Sequence, residues 1–291
     1  MTGLGPAGRA NRRAGRNGFE QQMAAVSRIT TLTLLYYPYS FDEMKDIPKT
    51  GDLSLEFRPL SILRFHIDRF WFCGRSAVSV SEILPDGCVD VVFRLSTSSI
   101  ETLLFGPVTR SISFPLRADS EYFGVRFRAG QAARFLSDRP AEMVNRYGSI
   151  GILPCLNGEQ FINLPTFQDR CSLLEATLFS LLAREDVRTD VIEWAVRTIE
   201  CRKGMVEVCR LAAACDLSLR QFERRFSERV GITPKTFCRV VRFQHALSAL
   251  RGGLSGNLAS LAAELGFADQ SHFIRDFKSL CDYLPSHFIS S

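Results

Sequence analysis

Two short stretches near the C-terminal end of this 291-residue chain carry side chains of types that can read the edges of base pairs. One holds Leu219, Arg220, Glu223 and Arg224, and the other holds Gln270, Ser271, Ile274 and Arg275. Arginine pairs with guanine and glutamine with adenine, glutamate accepts from cytosine, and isoleucine can meet a thymine methyl group. Within each set the spacings of one, three and four residues bring the four side chains to one face of a helix. A single helix face of this kind is ordinarily just a solvated surface. Its repetition is what argues for a target.

The elements that position these residues are themselves duplicated. Phe222, Arg224, Phe226, Pro234 and Phe237 recur 51 residues later as Phe273, Arg275, Phe277, Pro285 and Phe288. Leu211 and Ala212 recur only 50 residues later as Leu261 and Ala262, so the second copy carries one extra residue in its turn. Each copy reads as a helix-turn-helix unit. Ala212 and Ala262 are small enough for two helices to cross, and Ser218 and Asp269 can cap the second helix. Phe222 with Phe226, and Phe273 with Phe277, lie four apart and make the apolar face. They are core residues with no contact to a ligand. Pro234 suits the first turn of a longer helix running to Leu250. Gly231 ends the helix before it. Two matched units in tandem suit a target that repeats, as duplex DNA does.

Upstream the pattern changes. Residues 30–130 read as short strands punctuated by turns: VSVSEIL, Pro85-Asp86-Gly87, CVDVVFRL, LLFG and YFGVRFRAG. In CVDVVFRL, Val89, Val91, Phe93 and Leu95 alternate with Cys88, Asp90, Val92 and Arg94, which predicts one buried and one less buried face. Short helical pieces follow at 131–136 and 141–146, and a stronger helix at 166–184. The last carries the stripe Phe167, Cys171, Leu174, Leu178, Leu181 and Leu182, which could pack on its own domain or on a second copy of the chain. The charged run 184–188 reads as a linker. A further helix from Asp190 to Cys201 is expected to turn Val191, Trp194, Ala195 and Thr198 inward.

Other candidate chemistry is thin. Asp86, Cys88 and Asp90 could form a ligand site, but Pro-Asp-Gly is a turn, and polar residues on the outer or less buried face of a strand are the plainer reading. Trp71, Phe72, Phe93, Arg126 and Phe127 could line a pocket or simply be core. A metal-binding β-domain would need a histidine cluster, and this region has only His66, so no metal and no cofactor are expected. Cys88 with His66 is the one thiol–base pairing available, and no phosphate-binding glycine loop is present. The chain does not read as an enzyme.

Net charge is +5, but it is unevenly spread. Residues 1–28 carry +4, residues 29–187 carry −3, and residues 188–291 carry +4, so the duplicated motif lies in a basic segment. The composition of residues 1–28 predicts a disordered basic tail, and Met23 offers an alternative start. Arg12-Arg13 lacks the apolar stretch of an export signal, and Ile29 to Tyr37 runs into Pro38. No apolar run approaches the roughly 20 residues that span a bilayer. Nine scattered cysteines without a CxxC pair read as reduced thiols, so a cytoplasmic location is expected and no membrane partner.

The stretch from about Thr189 to Phe288 resembles the DNA-binding domain of the AraC/XylS family of transcription regulators. GFADQSHFIRDFK, from Gly266 to Lys278, is close to the family signature, as is Pro285. The resemblance implies two helix-turn-helix units joined by a long helix, entering successive major grooves about 34 Å apart. It implies Arg220, Glu223, Arg224, Gln270, Ser271, Ile274 and Arg275 as base-facing residues. Asp216 and Asp282 stand where the family usually has glycine, and Ile274 where it is often polar.

ILPDGCVDVVFRL and GVRFRAGQAARFL are similar to the β-rich, cupin-like sensor domain of some of these regulators. The fold expected is therefore α+β: a β-rich domain over 29–185, then an all-α domain over 189–291. The resemblance further implies a small-molecule effector, homodimerisation through the N-terminal domain and contact with RNA polymerase. The rival readings are a helical protein-interaction module without DNA recognition, and a thiol-based sensor.

Overall fold

The computed structural model describes residues 54–59, 61–75, 79–97, 99–136, 140–149, 159–162, 164–183, 190–253 and 256–289. All lie in one compact unit, Asp46–Ser291. The basic tail, Met23, the Ile29–Tyr37 stretch and the 184–188 linker fall outside the described residues.

The first part is β-rich. Its strands are β1 (Ser54–Phe57), β2 (Ile67–Cys73), β3 (Val80–Ile83), β4 (Val89–Leu95), β5 (Ile100–Phe105), β6 (Ile112–Pro115), β7 (Glu121–Phe127) and β8 (Tyr147–Ser149). Six form an antiparallel sheet in the order β1-β2-β7-β4-β5-β8, while β3 and β6 pair separately. Two helices follow, α1 (Glu159–Ile162) and α2 (Phe167–Leu182).

Strand β4 corrects the expectation of a single buried face. Val89, Val91, Phe93 and Leu95 do point into one core, shared with Phe123, Phe161 and the α2 residues Cys171, Leu174, Leu178 and Leu182. Val92 on the other face is equally buried, against Phe105, Phe114 and Tyr122. The reason is the small β3–β6 sheet, whose Ile83 and Phe114 close over what would be the outer side. A central strand covered on both faces loses the simple alternation. The α2 stripe packs on its own domain.

The second part is helical: α3 (Val191–Cys201), α4 (Val208–Ala214), α5 (Leu219–Val230), α6 (Pro234–Arg251), α7 (Leu258–Glu264) and α8 (Gln270–Cys281), then a 3-10 turn, Pro285–Phe288. It holds two separate cores. One gathers Ile199, Leu211, Phe222, Phe226 and Phe237. The other gathers Phe243, Leu261, Phe273, Phe277 and Leu280. Helix α6 contributes to both and is their shared beam.

Helix α3 is rotated by about one residue from the sequence expectation. Its buried face is Ile192, Ala195, Val196 and Ile199, and Trp194 stands 45% exposed. Glu193 accounts for the rotation. Arg134 of the β-rich part and Arg197 hold its carboxylate at 3.1 and 2.7 Å, which draws an acidic residue inward and turns its neighbour out. Burial alone would raise the Glu193 pKa, but the two guanidinium groups outweigh it and hold it below the ordinary value. Among the described residues no helix is long and apolar enough to cross a membrane.

Candidate nucleic-acid interface

Each repeated unit builds its second helix in the same way. Ser218 caps α5: its hydroxyl accepts from Gln221 N at 3.3 Å, and its own N–H donates to Gln221 Oε1 at 3.1 Å. This reciprocal box satisfies two backbone donors that a helix start leaves open. Asp269 caps α8 by accepting from His272 N at 2.7 Å. Both helices end on a left-handed residue, Gly231 (φ 92°) and Asp282 (φ 62°). Asp216 (φ 54°) and Gly266 (φ 72°) occupy matching places in the two interhelical turns. Aspartate adopts this conformation more readily than most residues, so the two aspartates replace glycine without breaking the turns. The turn before α5 spans 215–218 and that before α8 spans 265–269, which locates the extra residue.

The phenylalanine face of each second helix is buried: Phe222 and Phe226 are both 0% exposed, Phe273 and Phe277 1% and 2%. Burying a phenylalanine contributes on the order of 2–3 kcal/mol, so these pairs decide which way the helix faces. The opposite faces are left to solvent. Leu219, Arg220, Glu223 and Arg224 are exposed on α5, and Gln270, Ser271 and Arg275 on α8. Ile274 differs: it is half-buried and packs against the second core. Arg224 reaches Glu228 at 3.7 Å with both side chains well exposed, a contact too weak and too screened to hold the guanidinium against a competing partner.

The two units are tied within the helical part. Arg239 of α6 donates to Asp276 Oδ1 at 2.9 Å and to Ser279 Oγ at 2.9 Å, both on α8. Arg242 of α6 lies 4.9 Å over the Phe267 ring. Lys203 and Glu264 form a more exposed pair at 2.7 Å. Beside the first unit lies a cleft of about 770 Å³, which the second unit reaches only with Gly266; its lining includes Arg202, Arg210, Lys235 and Arg242, with Glu207 paired to Arg210. Sequence reasoning missed this basic concavity because only Lys235 and Arg242 share a helix, while Arg202 and Arg210 come from other elements.

The other sequence candidates form a cluster in which Asp90 is buried, a departure from the less buried strand face expected of it, while Asp86, Cys88, Trp71 and Arg126 are partly buried. Arg126 contacts Asp86 at 2.9 Å and Asp90 at 2.9 Å, and Asp90 also accepts from Trp71 Nε1 at 3.0 Å. Gly124 explains the fit: a Cβ there would meet the Trp71 indole at 2.3 Å. Asp90 is buried because this guanidinium comes from the neighbouring strand β7, which sequence spacing could not reveal. Burial works against the Arg126 charge, yet Asp86 and Asp90 more than offset it and raise its pKa well above the ordinary value. Burial, then Asp86, push the Cys88 thiol well above its usual range, which disfavours the reactive thiolate. His66 is engaged with Gln131 at 2.7 Å. Among the described residues no group of three potential metal ligands converges. Phe93 and Phe127 are core.

Residues 211–291 match the family model described as "Helix-turn-helix domain", and residues 55–149 match "Domain of unknown function (DUF6597)". Over 82 residues the chain is 32% identical to an uncharacterised HTH-type transcriptional regulator of Haemophilus influenzae, covering 28% of this chain and 27% of that protein. Over 81 residues it is 32% identical to the HTH-type transcriptional activator RhaS of Klebsiella pneumoniae, covering 27% and 29%. The chain thus matches under a third of the length of these relatives. The solved structure of ToxT from Vibrio cholerae aligns over 73% of this chain and 98% of its own, with 11% identity and a TM-score of 0.41.

Proposed function

We propose that this chain, whose residues 211–291 match a helix-turn-helix domain, is a sequence-specific DNA-binding transcription regulator of the AraC type. One observation carries the reading. Two recognition-type helices bury matched phenylalanine pairs in separate cores, hang from one shared helix, and leave polar faces open to solvent. Such units suit successive major grooves on one side of a duplex. Arg220, Glu223 and Arg224 read one half-site, and Gln270, Ser271 and Arg275 the other. Leu219 and Ile274 supply apolar contacts at the edges. Arg202, Arg210, Lys235 and Arg242 meet the phosphate backbone, which adds affinity without specifying sequence.

The division of labour follows the change in composition. A β-rich domain over 29–185 receives the signal, a small-molecule effector or a second copy of the chain, and a helical domain over 189–291 reads DNA. The protein acts in the cytoplasm, beside RNA polymerase at a promoter, and catalyses nothing. The upward shift of the Cys88 thiol does not support the thiol-sensor reading.

The test is selection of bound duplexes from a random library, followed by binding of the recovered site at several salt concentrations. A recovered two-part site and a steep linear fall of log affinity with log salt are expected. No enrichment, or binding indifferent to salt, would favour a helical protein-interaction module instead.

A further inference from the structure

The turn between β3 and β4 reaches out of the β-rich part and lies along α6. The ring of Phe237 and a methyl of Val240 are the atoms a Cβ on Gly87 would meet first, at 3.1 and 3.7 Å. Gln244 donates from Nε2 to the carbonyl of Pro85. Phe237, Val240 and Gln244 are spaced three and four apart, so one face of α6 is covered by this turn. Its two ends meet different cores: Gly87 lies against Phe237 of the first unit, and Leu84 packs on the core of the second.

The turn is itself stiff. Asp86 is held by Arg126 at 2.9 Å, accepts from Cys88 N at 3.0 Å, and donates its own N–H to Val108 O at 3.2 Å. Gly87 has φ +68°, a conformation side chains rarely adopt, and a Cβ there would crowd the Phe237 ring. A rigid feature touching both cores braces α6, the helix they share, from outside, and with it the angle between the units. Within the helical part the units are joined by α6, which enters both cores, by Arg239 and Arg242 reaching from α6 to the second unit, and by the exposed, screened Lys203–Glu264 pair.

We propose that the Leu84–Cys88 turn is a positioning element that sets the relative placement of the two recognition helices, so that the β-rich part determines the half-site spacing the chain reads. The placement of the two helices follows from geometry alone. The half-site spacing rests on the DNA-reading assignment.

The experiment uses the full chain with genetically encoded spin labels at the exposed residues Arg225 and Lys278, one on each recognition helix. Pulsed electron resonance then compares the parent with Gly87→Val, which forces the turn off Phe237, and with Gln244→Glu, which keeps the side-chain size but repels the Pro85 carbonyl. A broadened or displaced distance distribution in folded variants is the expected result. Distributions that superimpose on the parent's, with folding verified by circular dichroism, overturn the proposal. If Gly87→Val fails to fold, Gln244→Glu decides by the same criterion. The random duplex selection adds a readout that mere loss of stability would not move. The variants should recover sites of altered or relaxed half-site spacing, and unchanged spacing at lower yield counts against a positioning role. Should the parent select no DNA at all, the functional assignment fails while the distance measurement still decides the placement.

Discussion

The two helix-turn-helix units are built alike inside and differently outside. Each buries two phenylalanines four residues apart, crosses its helices at a buried alanine (Ala212 or Ala262), and ends its second helix on a left-handed residue. Their outward faces have little in common beyond Arg224 and Arg275. Glu223 is exposed where Ile274 is tucked half into the second core. The first unit also has a partner the second lacks, since α3 packs its Ile199 into the first core. Selection on packing constrains the inside of both copies in the same way, because an apolar core tolerates few shapes. The surfaces are under no such shared constraint, and the difference argues for two unlike half-sites.

The largest expected effect attacks what the units share. Phe277→Ala should destabilise the helical part by about 3–5 kcal/mol, and Phe226→Ala by a similar amount, because each truncates a buried aromatic. Urea melts of the two variants check this. A loss confined to one of them would mean the cores are not equivalent.

The next attacks the one outward residue they share. Arg275→Ala should weaken binding to the selected site by about 1–3 kcal/mol if the guanidinium pairs with a guanine. Arg224→Ala should lose a similar amount at the other half-site. Binding measured with each half-site varied in turn separates the two, and equal relaxation at both half-sites would refute the assignment.

The third sharpens the role of α3, present in the first unit alone. Burial holds the Glu200 carboxyl up at about 7, against the opposing pull of Arg128 and Arg197. Its folded pKa lies above its unfolded value, so its stabilising contribution is complete at acid pH and is lost as pH rises toward and through 7. Glu200→Gln removes that loss. Relative to the parent, the variant should gain about 1–2 kcal/mol between pH 5 and pH 8, a shift discounted for partial solvation. Unfolding free energies at the two pH values test it, and a constant gap would show that Glu200 is not held neutral.

The smallest concerns the two helix ends. Asp282→Gly should stabilise α8 by about 0.5–1 kcal/mol, since glycine adopts the left-handed conformation without strain. The reverse change in the first unit, Gly231→Asp, should cost more than Asp282→Gly gains. A Cβ there would lie 2.9 Å from Pro107 and 3.0 Å from Pro140. Thermal melts of the pair would rank them, and no asymmetry would mean the Pro107 and Pro140 contact gives way easily.

Much of the helical part was legible because its signals are local. Ser218 and Asp269 announce their helices, Gly231 and Pro234 punctuate them, and the phenylalanine spacing identifies the buried faces. The rotation of α3 was not legible, because Glu193 reads as a surface acid until Arg134 comes near it. Nor was the burial of Asp90, whose guanidinium partner lies on a strand 36 residues away. In both cases the environment of a charge is set by a residue distant in sequence.

The sequence by itself therefore determined the two-unit scaffold, its caps and turns, and the list of outward residues, since these follow from helical spacing and backbone preference within a few turns. Only the tertiary structure decided which polar residues are buried, that Ile274 belongs partly to a core, and that the 84–88 turn lies against α6 between the two units. Those outcomes depend on which distant groups compete for the same space and the same charge, and no local pattern encodes that competition.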